Sequence, residues 1–94
     1  MARLEPETIL GVRRGQGFAP TMPLHAAWRA AGAARGIPAG LTLTDLNGRP
    51  TVPFLGLWRA AFPTVRGLRA ADAILTRDGR PTAKFLDAFR ALPE

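Results

Sequence analysis

The chain has 94 residues, thirteen Lys and Arg against seven Asp and Glu, and a net charge of +6. That length makes one small domain, and folding buries only about 60–70% of the unfolded surface, which argues against a deep pocket walled on all sides without a partner. Cysteine is absent, which excludes disulfides and thiolate chemistry; one histidine without an acidic cluster excludes a structural zinc site, and no cofactor is expected.

The opening Met1-Ala2-Arg3-Leu4-Glu5-Pro6 is not a signal peptide, because Glu5, Pro6 and Glu7 interrupt any apolar run. The longest apolar stretches fall far short of the ~18 residues a membrane span needs. The expectation is a soluble chain made in a cytoplasm, with no membrane partner. Twelve of the thirteen cations are arginine, only Lys84 being lysine. With abundant Ala and Gly, this reflects a GC-rich genome more simply than it does guanidinium chemistry.

The first extended candidate runs from Ile9 to Arg13. Gly17-Phe18-Ala19-Pro20-Thr21 follows, then a helical stripe of Leu24, Ala27, Trp28 and Ala31, ended by Gly32 or Gly36. Leu41-Thr42-Leu43-Thr44 alternates as a half-buried strand does. Asn47-Gly48 is a turn dipeptide, and Arg49-Pro50-Thr51 leads into the stripe Phe54, Leu57, Trp58, Ala61 and Phe62, stopped by Pro63. The connector from Pro63 to Ala71 has room for a further helical turn capped by Thr64. Ala73 to Thr76 is the third extended candidate. Asp78-Gly79 turns the chain, and Arg80-Pro81-Thr82 starts the stripe Phe85, Ala88, Phe89 and Leu92, stopped by Pro93.

These segments are one unit written three times. Pro20-Thr21, Pro50-Thr51 and Pro81-Thr82 stand 30 and 31 residues apart, and each threonine is followed seven residues later by Trp or Phe and then Arg-Ala. The first copy has an extra residue after its glycine and no Gly-Arg. Proline forbids helix at the residue before it, and threonine is a good N-cap. Pro23 and Pro53 fit the first helical turn. Helices of about three turns are marginal alone, so each must lay its aromatic stripe on something. The expected fold is mainly α with short extended arms. One small domain, 1–94, holds three degenerate strand/turn–helix units, about 9–34, 41–62 and 72–93, in a small helical bundle or an extended string of helices.

Candidate sites follow from this layout. Trp28, Trp58 and Phe89, with Phe54, Leu57, Phe62 and Phe85, form interface or packing surfaces. They either fill a shared core or anchor a partner. Gly48, Pro50, Thr51, Gly79, Pro81 and Thr82 are turn and cap residues. Arg49, Arg59, Arg80 and Arg90, with Arg29, are possible basic contacts. His25 lies beside its stripe among Ala and Leu, without a nucleophile or orienting acid, and is read as structural or surface. Nothing fixes Asp45, Asp72 and Asp78 together, and Asp78 belongs to a turn. No catalytic or metal-binding residues emerge, and no enzyme is inferred.

The stretches from Leu43-Thr44-Asp45-Leu46-Asn47-Gly48-Arg49-Pro50-Thr51 through Phe54, Trp58 and Arg59, and from Leu75-Thr76-Arg77-Asp78-Gly79-Arg80-Pro81-Thr82 through Phe85, Phe89 and Arg90, resemble the D-x-x-G-R-P-T-x-x-F-x-x-x-W element of tailed-bacteriophage virion proteins, notably tail-fibre and head- or tail-associated proteins. The third copy has Phe89 for Trp and lacks the leading Asp; the first lacks Gly-Arg. The resemblance implies an arm-plus-helix that helps chains trimerise or dock on a particle. It implies a non-enzymatic virion component, made in a bacterial host, with other virion proteins as partners at a threefold or pseudo-threefold site. The element acting in threes implies a pseudo-threefold bundle from three tandem copies. The alternative is a small basic nucleic-acid-binding accessory protein, for which net +6 is the footprint. Against it, the cations are spread and no zinc finger, RNA-recognition motif or helix-turn-helix spacing is present.

Overall fold

Each of the three prolines ends one kind of backbone, and the threonine after it begins another. In the computed structural model, which describes residues 4–65 and 67–92, every Pro-Thr pair closes a hairpin and starts a helix. Met1 to Arg3, and the expected helix stop Pro93, lie outside the described residues. The elements in chain order are β1 (Gly11–Arg14), β2 (Gly17–Pro20), α1 (Met22–Ala30), β3 (Thr44–Asp45), α2 (Val52–Ala61) and α3 (Ala83–Arg90).

β1 and β2 pair antiparallel with Gly11 opposite Pro20, and β3 joins β2 with Phe18 opposite Thr44. The sheet order is β1-β2-β3. The fold is therefore mixed α/β, and the expectation of a mainly α chain with loose arms is corrected. The physical reason is that the arms are not loose. Thr44 bridges Pro50 and Leu75 bridges Pro81, as Gly11 faces Pro20, so each arm folds back on itself and satisfies its backbone there. An extended string is excluded as well. The radius of gyration is 11.6 Å, below the ≈ 13 Å of a compact 100-residue domain.

The helices have 9, 10 and 8 residues, short of three full turns. Phe62 is the C-cap of α2 rather than part of it, but stays buried. α1 ends at Ala31 and Gly32. The connector 63–71 carries a turn closed by Val65 N–H on the Phe62 carbonyl, and no helix among its described residues.

The threonines tie arm to helix. The Thr51 hydroxyl donates to the Thr42 carbonyl at 2.6 Å and accepts from Phe54 N–H at 3.3 Å. Thr82 donates to Ala73 at 2.7 Å and accepts from Phe85 N–H at 3.4 Å. Thr21 donates to Ile9 at 2.7 Å, but its side chain caps nothing. Removing the hydroxyl breaks three hydrogen bonds at Thr51, the third a 3.5 Å contact to the Leu43 carbonyl, two at Thr82 and one at Thr21. Thr51→Ala and Thr82→Ala are each expected to cost ~1–2 kcal/mol, and Thr21→Ala about half of that. Urea unfolding followed by circular dichroism ranks the three, and an equal cost at Thr21 contradicts the assignment.

Candidate functional site

The three units bond to one another in a cycle. Leu43 N–H donates to the Phe18 carbonyl at 2.7 Å, joining unit two to unit one. Ile74 and Leu75 N–H donate to the Gly48 carbonyl at 2.7 and 3.2 Å, joining three to two. Leu10 and Gly11 N–H donate to the Gly79 carbonyl at 2.7 and 3.1 Å, joining one to three. The carbonyl used is always the third residue before the Pro-Thr threonine. A head-to-tail contact repeated three times and closing on itself is a threefold ring, here made by one chain. Gly48 and Gly79 allow the approach, with φ of 80° and 82°. A Cβ on Gly48 would overlap the Leu75 carbonyl oxygen, and one on Gly79 that of Gly11. Gly17 stands in the same place against the Thr44 carbonyl.

Inside the ring the aromatic stripes face one another. Trp58 is fully buried, with ring centroids 5.9 Å from Trp28, 6.3 Å from Phe54, 5.1 Å from Phe62 and 6.1 Å from both Phe85 and Phe89. Trp28 also meets Phe62 at 4.9 Å, and its indole N–H donates to the Arg35 carbonyl at 2.6 Å. Of the proposed interface or packing residues, only Leu57 keeps partial exposure. In the folded chain the aromatic members are core, with none of their rings free to anchor a partner.

The remaining sequence-selected residues lie outside. Arg29, Arg59 and Arg90 follow the aromatics onto the exposed helix flanks, and Arg49 and Arg80 are exposed in the hairpins. Arg90 with Asp87, at 3.7 Å, is the one ion pair among the described residues, and both members are exposed. Such a pair adds little stability. His25 is half-buried where the other units have Leu55 and Leu86. It borders a concavity of about 330 Å³ shared with Arg14 and Thr42. Asp45 does not meet Asp72 or Asp78 in a metal-binding group. No cluster of three or more His, Asp or Glu that could hold a metal exists among the described residues, and no described helix is long and apolar enough to cross a membrane.

Sequence reasoning missed what Asp45 does. Its Oδ1 accepts from Asn47 N–H at 2.9 Å and Arg49 N–H at 3.0 Å, bracing the hairpin. In unit three the Thr76 hydroxyl takes the Arg80 N–H at 3.1 Å. The third copy therefore lacks the leading Asp without losing the bond. The signal was available: both residues stand four before the arginine of Arg-Pro-Thr.

No family model matches the chain, and no curated protein or solved structure compared with it is significantly similar.

Proposed function

We propose that this chain is a structural, non-enzymatic assembly element of a phage or phage-like particle, such as a tail-fibre, baseplate or head–tail adaptor piece. Three fused copies of the arm-plus-helix unit would reproduce in one polypeptide what three chains of a trimer make together. The observation that carries the reading is the closed cycle of backbone hydrogen bonds from Phe18, Gly48 and Gly79 to the next unit. Symmetric particles offer threefold and pseudo-threefold positions, and a body with that symmetry presents quasi-equivalent surfaces to them. The aromatic stripes are spent on the core, so contact with neighbouring virion proteins falls to the outer surface. That surface includes Met22 and Val52, both largely exposed at the first position of their helices.

The test is location. Gradient-purified particles from the host that encodes the chain are expected to contain it at a fixed low copy number, seen by immunoblot and mass spectrometry. Its confinement to the soluble fraction would overturn the proposal. If the soluble protein then bound DNA with an affinity falling steeply with salt, the nucleic-acid reading, motivated by the +6 charge, would replace it.

A further inference from the structure

The hairpins converge on a shallow depression of about 280 Å³ lined by Arg13, Phe18, Leu46 and Arg77. Three of these residues come from different units and occupy one position. Each stands four residues after the carbonyl that receives the Pro-Thr hydroxyl, namely Ile9, Thr42 and Ala73. Equivalent residues of a threefold ring meet in one depression only near its axis, so this is the axial end of the ring on the hairpin side. Full symmetry would place three like side chains there. Here two are arginine and the third is leucine.

Arg13 and Arg77 are exposed and make no ion pair among the described residues. No acidic side chain lines the depression. Asp45, next to Leu46 in the chain, turns its Oδ1 to the Asn47 and Arg49 N–H groups and pairs with no cation among the described residues. Leu46 is 38% exposed, and Phe18 forms part of the lining although nearly buried. The depression therefore offers two unneutralised guanidinium groups beside an aliphatic and an aromatic surface. We propose that it docks a protein segment whose tip carries a carboxylate next to an aliphatic side chain. The carboxylate lies between the two guanidinium groups, whose planar forks suit it, and the aliphatic group lies against Leu46 and Phe18. A nucleic acid fits less well. Its binders gain affinity by neutralising on the order of 6–10 phosphates along a track, and two cations set around an axis with a leucine are not a track. The inference shares the threefold ring with the particle reading but not its biology. Peptide binding can fail while the chain is found in particles, and the reverse.

A random heptapeptide display library selected on the full chain tests this. Enriched peptides are expected to combine Asp or Glu with Leu, Ile or Val. The best peptide, measured by fluorescence polarisation, should lose about 10-fold in affinity on Arg13→Ala or Arg77→Ala and less on Leu46→Ala. All three positions are exposed, so circular dichroism should show the fold kept. Lys84→Ala, on an exposed face of α3, should change nothing. Failure to enrich, enrichment of peptides without carboxylates, or unchanged affinity in the Arg13→Ala/Arg77→Ala double variant overturns the proposal. So does a labelled oligonucleotide that binds in place of peptides and is lost in the same double variant.

Discussion

Replacing Gly79 with alanine is expected to cost ~3–5 kcal/mol, out of a total stability on the order of 5–14 kcal/mol for a chain this size. Two effects add. At φ 82° a Cβ is disfavoured by roughly 1–2 kcal/mol wherever it points. Here it also points at the Gly11 carbonyl oxygen, inside contact distance. Relief requires the arm of unit one to move away, which loosens the Leu10 and Gly11 N–H bonds to Gly79, each worth about 0.5–1.5 kcal/mol. Those bonds close the ring, so the damage joins the first unit to the last. Gly15→Ala separates the two effects. Its φ is 62°, but nothing lies within 4 Å of the added carbon, so only the backbone cost of roughly 1–2 kcal/mol remains. Urea midpoints of the two variants measure the difference. Equal losses would mean that the contact between Gly79 and unit one does not hold the chain closed.

That glycine also shows what a reader of the sequence can and cannot see. The Pro-Thr period, the aromatic stripes and the caps are side-chain patterns, and they place the three helices correctly. Ring closure is made by backbone N–H and carbonyl groups, which every residue owns, so it leaves no pattern of its own. Its trace is indirect: glycine at 17, 48 and 79, spaced 31 and 31, where a neighbouring carbonyl admits no Cβ. Aligning the copies on Pro-Thr sets Gly17 one residue out of step, because one extra residue separates it from Thr21, and the first hairpin as a whole spans twelve residues from acceptor to threonine where the others span nine, an excess of three. The same three-residue excess scatters Arg13, Leu46 and Arg77. They fall into register only when the arms are counted from their own starts. The extended segments Ile9 to Arg13 and Leu41 to Thr44 were legible, but their pairing into a sheet through Gly17–Pro20 was not. Gly11-Val12-Arg13-Arg14 and Gly17-Phe18-Ala19-Pro20 have neither clean alternation nor high β propensity, and they pair because tertiary contacts on Phe18 and Leu10 hold them in place.

Trp58→Ala carries the second large effect. The indole sits where rings from α1, α2 and α3 converge, with Trp28, Phe54, Phe62, Phe85 and Phe89 around it and no exposed surface. Truncation removes the burial and leaves a cavity that five aromatic neighbours cannot collapse to fill, a loss of ~3–5 kcal/mol. For a domain of this length that lowers Tm by roughly 15 °C or more. Trp58→Phe is expected to cost well under half as much, because the equivalent position in unit three already holds Phe89 and the packing tolerates a single ring there. The pair of variants also reports on cooperativity. Each arm also bonds to a neighbouring unit through the Phe18, Gly48 and Gly79 carbonyls, and the stripes share one core, so melting followed by Trp28 fluorescence and by far-ultraviolet circular dichroism should coincide in both variants. A Trp58→Ala protein in which fluorescence melts well before the helices would show three separable units, and the closed ring would then be a weak arrangement of independent hairpin–helix pieces.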